Sequence, residues 1–280
     1  MLKTLDKPRK AQVQTELVTV TPEMAAQWLT TNNANRRPQS RFVRQFARDM
    51  SAGSWAITGD SIKFDADATL IDGQHRLMAC VEAQHAFTTF VIYGLPATTR
   101  DVIDTGKART LGDVLQMRSI PNASAVASTV KLLINQSRGH SNIGGSGTVT
   151  HSEMVRALEK HHRLPLYVLL PRDLPRGISV PLVSYVSYVG ATLQKERERA
   201  EAMVAVMRSG APDYEGDPIH MYRERIIMNY AEAIGSIRNR ESNIWTFKHC
   251  WNLFLHRKPI DRLRWRQSDV DIEGLDLSKL

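Results

Sequence analysis

The chain has 280 residues, enough for one large domain or two ordinary ones, with 42% hydrophobic and 24% charged residues, the balance of a soluble globular protein. No apolar run approaches the roughly 18–20 residues of a membrane span, and residues 1–15 carry charge without the apolar stretch of a secretory signal. They read as a flexible basic arm on a cytoplasmic protein with no membrane partner, and a net charge of +8 favours nucleic acid or another polyanion as partner.

Residues 16–21 alternate like a strand, and Thr21-Pro22-Glu23 is a helix start with a capping hydroxyl and a first-turn proline. That helix fades into the polar loop 30–35. Arg36-Arg37-Pro38 follows, and residues 40–50 form an amphipathic helix whose apolar stripe is Phe42, Val43, Phe46, Ala47 and Met50, with Arg41, Arg44, Arg48 and Asp49 outside. Residues 61–65 and 69–71 read as two short strands joined by a turn, and a helix runs from Gly73 to about Gln84. Residues 86–93 are a strand rich in β-branched and aromatic side chains, broken at Gly94-Leu95-Pro96, and 98–103 make a short helix.

From Thr110 onward the pattern is helical: 111–117, 121–135, a helix opened by the capping box Thr150-His151-Ser152-Glu153, then 182–207, 221–238 and 243–256. Residues 137–149 are a glycine-rich loop without the Gly-Lys-Ser/Thr ending of a phosphate-binding P-loop, so a linker or mobile flap. The expected organisation is an arm at 1–15, an α/β domain at 16–112, a helical domain at 113–268 and an acidic tail at 269–280. The fold class is α+β.

The run Leu70-Ile71-Asp72-Gly73-Gln74-His75-Arg76-Leu77 joins a strand to a helix. Helix starts present unpaired N–H groups at the positive end of the dipole, and Gly73 permits close backbone approach. His75 and Arg76 would add donors for a phosphate or another anion. Asp72 would hold a metal, orient His75 or cap the helix. The plainer alternative is a β-turn with Arg76 in a surface ion pair.

These residues, Asp72-Gly73-Gln74-His75-Arg76-Leu77-x-Ala79, resemble the signature of the ParB/sulfiredoxin-like superfamily, in its DGQHR-type branch of phages, plasmids and DNA-modification systems. Asn35-Arg36-Arg37, the helix at 40–50 and Ser51-Ala52-Gly53-Ser54-Trp55 fit the same pattern, and the resemblance covers about residues 16–112. It implies a ParB/sulfiredoxin-type α/β domain whose Gly-x-x-Arg turn binds nucleotide phosphate through Gly73, Gln74, His75 and Arg76. It places Arg36 or Arg37 over the phosphates. Sulfiredoxin-like members carry a catalytic cysteine where this chain has Gln74, so thiol chemistry is not expected. ParB proper carries a double-arginine turn where this chain has His75.

Asp104-Thr105-Gly106-Lys107-Ala108-Arg109-Thr110 offers two cations, Lys107 and Arg109, just before a helix, and Asp104 is placed to pair with an arginine or share a magnesium ion with a phosphate. A solvated loop-to-helix junction is the alternative. Among the aromatic and basic residues of the last third, Trp245, Cys250, Trp251 and Phe254 fit a core face, whereas Arg262, Arg264 and Arg266 are candidates for DNA phosphates, shielded by the acidic tail. Cys80 and Cys250 have no CxxC partner and read as buried thiols; His151, His161 and His162 read as surface residues.

The reading is a DNA-associated protein of phage or mobile-element DNA metabolism, in a bacterial cell or infected host, binding a nucleotide or nucleic-acid phosphate at the Asp72–Arg76 turn. A nucleoside triphosphate with Mg2+ is the expected cofactor, and a homodimer is a further partner to test. One alternative is a metal-dependent nuclease, NTPase or phosphotransferase on the same fold, with Asp72, His75 and Asp104 as catalytic candidates. Another is a structural phage protein that lost the ligand.

Overall fold

The structure is a computed structural model and describes residues 13–33, 35, 37–103, 110–139, 149–231, 240–276 and 280. The chain divides into two compact units, Met1–Ala108 and Arg109–Leu280. Together they form an α+β protein: a four-stranded mixed sheet near the N-terminus, then mostly helix. Among the described residues no helix is long and apolar enough to cross a membrane.

In the first unit, β1 (Gln14–Val20) leads into α1 (Pro22–Leu29), whose N-cap Thr21 accepts a hydrogen bond from the Met24 amide. Next comes α2 (Ser40–Ser51), which buries Val43, Ala47 and Met50 from its apolar stripe. Strands β2 (Ser61–Asp65) and β3 (Leu70–Asp72) precede α3 (Gln74–Ala83), and β4 (Phe87–Leu95) follows it. The sheet order is β1-β4-β2-β3; β1 and β3 run antiparallel to their neighbours, while β2 and β4 are parallel. The core joins Val20, Ile62, Phe64, Leu70, Phe87 and Val91 of the sheet to Ala25, Met50, Leu77 and Cys80 of the helices. It therefore lies on one face of the sheet.

Two local expectations change here. Gly94 does not break β4: with φ at +78° it stays within the strand, because Leu95 pairs with Asp65 and its carbonyl accepts the Ala66 amide. Pro96, which has no N–H, follows it. The expected short helix at 98–103 is a 3-10 helix, Ala97–Val102.

The second unit contains α4 (Leu111–Met117), α5 (Ala123–Ser137), α6 (His151–Lys160), α7 (Val180–Tyr188), α8 (Arg197–Ser209), α9 (Pro218–Ala231) and α10 (Arg240–Leu255). Capping boxes open α4 at Thr110 and α6 at Thr150. The continuous helix expected over 182–207 is instead interrupted. A π-helical turn, Val189–Leu193, follows α7, the Glu196 amide reaches back to the Gly190 carbonyl at 2.8 Å, and Lys195 takes φ +65°. The cause is tertiary. Trp251 lies so close to Gly190 that a Cβ there would meet its ring at 2.6 Å, and its indole N–H donates to Gln194 Oε1 at 2.9 Å.

Of the residues read as a core face, Cys250, Trp251 and Phe254 pack inward as expected, while Trp245 is half-buried. His161 is not on the surface. It is 4% exposed, donates from Nε2 to the Leu280 backbone oxygen at 2.9 Å, and accepts at Nδ1 from the Tyr188 hydroxyl at 2.9 Å. A cap position after α6 drew it inside, where two partners satisfy both ring nitrogens.

Candidate functional site

The turn between β3 and α3 is built by a strand pairing, a glycine and an asparagine loop. Antiparallel register sets Lys63 of β2 opposite Asp72, the last residue of β3. The Lys63 ammonium donates to Asp72 Oδ2, and Arg76 Nη2 reaches the same oxygen at 3.4 Å. Asp72 is therefore not a helix cap. It is the shared counter-ion of two cations, all three side chains being largely sheltered from water.

Gly73 is the N-cap of α3, with φ +102°, and its carbonyl accepts the Arg76 and Leu77 amides, both at 3.0 Å. A Cβ here would lie 2.3 Å from Ile62 Cδ1. The glycine is thus required by its left-handed backbone and by β2 packing beneath it. The expected reason, room for a ligand at the backbone, is not the one the packing gives.

Gln74 is buried and accepts the Asn32 side-chain amide at 3.2 Å. Asn35 Nδ2 donates to Asn32 Oδ1 at 2.6 Å and to the Leu70 carbonyl at 2.8 Å, while the Leu70 amide donates to the Thr31 carbonyl. The asparagine loop is therefore strapped onto the β3–α3 turn, directly before Arg36 and Arg37. The sequence marks Asn35 only through its place before Arg36-Arg37 and does not mark Asn32 or Lys63 as members of the site. Repeated asparagines ahead of an arginine pair were the available signal.

His75 accepts the Gln39 backbone amide at Nε2, 2.9 Å away, and its ring meets Phe42 edge-on at 5.8 Å. That bond requires an unprotonated Nε2, so His75 positions the start of α2, and the cation that stands with Arg76 is Lys63. Arg76 itself keeps one nitrogen unused: Nη1 is buried and has no hydrogen-bond partner among the described residues. Its charge and that of Lys63, against one Asp72 carboxylate, leave the cluster with one net positive charge.

Arg37 is exposed; Arg36, Asp104, Lys107 and Arg109 lie outside the described residues, as do the first twelve residues and most of the glycine-rich loop. Arg262, Arg264 and Arg266 are exposed in the second unit, where the Arg266 amide is held by Thr246 Oγ1 at 2.9 Å. Of the tail carboxylates expected to shield them, Asp269 pairs with the buried Lys248 at 2.6 Å and Glu273 with His256 at 3.2 Å.

Among the described residues, no three His, Cys, Asp or Glu side chains come together as a metal site. Cys80 is buried with its Sγ near the Val20 and His85 carbonyls, and burial, with a smaller effect of Glu23, pushes its thiol up to about 11. Such a thiol stays protonated and inert. No protein-family model, curated protein or solved structure matches this chain.

Proposed function

We propose that the first unit binds a phosphate group, carried by a nucleotide or by nucleic acid, at the Gly73–Arg76 turn, and that the protein works in association with DNA. The observation that carries this reading is the buried, unpartnered Nη1 of Arg76. A buried donor without a partner costs about 1–3 kcal/mol, more when charged, and an anion seated against it recovers that cost. The uncompensated positive charge of the Lys63–Asp72–Arg76 cluster has the matching sign. The resemblance of the Asp72–Leu77 run to the ParB/sulfiredoxin-like signature supports the same ligand.

The donor set suits a phosphate better than a cation. Asp72 Oδ2 faces an ammonium and a guanidinium, which repel a divalent ion at that oxygen. The phosphate is therefore held by this chain's cations, and Asp72 orients Arg76. A nucleoside triphosphate would bring Mg2+ on its own phosphates.

Thermal-shift and calorimetric titration with CTP, ATP, GTP and short DNA test the reading. At a ligand concentration a hundred times Kd, binding to the folded state adds about 2.7 kcal/mol of stability. Wild type is expected to shift, Arg76→Ala to lose the shift, and Asp72→Asn to retain or strengthen it by removing a negative charge. Binding by Arg76→Ala equal to wild type overturns the phosphate site. Turnover abolished by Asp72→Asn with binding intact would establish the enzyme alternative instead.

A further inference from the structure

From Asn35 to Arg48 the chain carries five arginines and no acidic residue. Within α2, Arg41, Arg44 and Arg48 sit three and four positions apart, which is one side of a helix, opposite the buried Val43, Ala47 and Met50. Arg41 and Arg44 are exposed and have no acidic partner among the described residues. Arg41 donates from Nε to Gln39 Oε1 at 3.1 Å, and its guanidinium lies over the Phe42 ring at 4.6 Å. Arg48 Nη1 folds back to the Arg44 carbonyl at 3.3 Å. The row is thus ordered, and its start is not arbitrary: the Gln39 amide hangs on His75, one residue from Arg76.

We propose that this arginine row is a second contact for the same ligand, and that the ligand is therefore a DNA duplex whose backbone passes from the Arg76 turn along α2. The inference rests on the phosphate reading of that turn and names its substrate class as a polymer. From Arg41 to Arg48 a helix rises about 10 Å, and one duplex strand carries a phosphate for every 3.4 Å of axis. The row therefore spans about three phosphates of one strand. A rigid helix with regularly spaced cations suits a regularly spaced backbone, and His75 acts as the positioning residue that joins the two contacts.

The test is the salt dependence of binding to a fluorescent 20-base-pair duplex, with the full-length chain. Each phosphate contact contributes about 0.9 to the slope of log K against log salt. Arg41→Gln/Arg44→Gln is expected to lower the slope by about 1.8 while leaving the thermal shift by a mononucleotide unchanged. Both positions are exposed, and circular dichroism checks that the helix persists. Arg197→Gln/Arg208→Gln removes the same charge from exposed positions of the second unit and is expected to leave the slope as in wild type. The proposal is overturned if Arg41→Gln/Arg44→Gln keeps the wild-type slope, or if the control pair lowers it equally. Failure of the phosphate reading registers separately, as a mononucleotide shift that survives Arg76→Ala.

Discussion

Two residues show how a single backbone or side-chain choice organises this protein. Gly73 needs φ +102° and has Ile62 Cδ1 where a Cβ would go, so Gly73→Ala meets backbone strain and a steric clash together. It is expected to destabilise the first unit by about 2–4 kcal/mol, read as faster hydrogen exchange in peptides from β2, β3 and α3 with the second unit unchanged. His161 is the second case. Burial lowers its affinity for a proton, partly offset by its bond to the Leu280 backbone oxygen, and Lys160 lowers it further. In the unfolded chain the imidazole titrates near its ordinary value of about 6.5. As pH falls through that value the unfolded state binds more protons than the folded one, so folding stability decreases toward acid. His249, lowered by burial and by Arg266, acts with the same sign. Denaturation midpoints between pH 7.5 and 5.5 should therefore fall, and His161→Asn should flatten the profile at lower overall stability. A wild-type midpoint independent of pH over that interval would contradict the neutral, buried imidazole.

At the scale of elements, helix ends carry much of the specification. Thr150 is fully buried; its hydroxyl accepts the Glu153 amide at 3.0 Å and its own amide donates to Glu153 Oε2 at 2.7 Å. Glu153 Oε1 in turn accepts Arg138 Nη2 at 2.6 Å, tying α6 to the end of α5. Thr150→Ala removes the cap from all of this and should cost about 1–2 kcal/mol, measured as a lower urea midpoint with an unchanged m-value. Thr150→Ser should recover most of it. The stretch from α7 to α8 follows a different logic. Its residues have helical periodicity throughout, yet the approach of Trp251 at Gly190 and the left-handed Lys195 divide it. Local propensity was overruled there by packing, the usual direction of conflict between the two.

For the whole molecule, the positive charge is spread over both units. In the first it concentrates around the Arg76 turn and α2; in the second Arg262, Arg264 and Arg266 form an exposed basic run. Two of the acids following that run have partners of their own, Asp269 with Lys248 and Glu273 with His256, and the run itself is exposed. The two hydrophobic cores are separate clusters, one on the sheet and one among the helices. A destabilising change in either is therefore expected to register first in its own unit.

Much of this architecture was legible from residue order. Hydrophobic spacing identifies β1, α1, α2 and α4, and residue types at the helix start identify the capping box at Thr150, because those signals lie within one or two turns of chain; the second box, Thr110 with Asp113, became visible only in the structure. The Asp-Gly-Gln-His-Arg run marks the candidate site for the same reason, and Cys80 reads as an inert core thiol. The partners inside the site were not legible. Asn32 meets Gln74 across 42 positions, Gln39 meets His75 across 36, and His161 meets Leu280 across 119. Periodicity assigns a face to a residue but does not say which distant polar group will stand before it. By itself the sequence determined the α+β class, the positions of most elements and the strand–turn–helix that bears Arg76. Only the tertiary structure decided that Asp72 is a counter-ion, that His75 is an acceptor and that one Arg76 nitrogen is buried with no partner among the described residues, because burial and hydrogen bonding belong to three-dimensional neighbours.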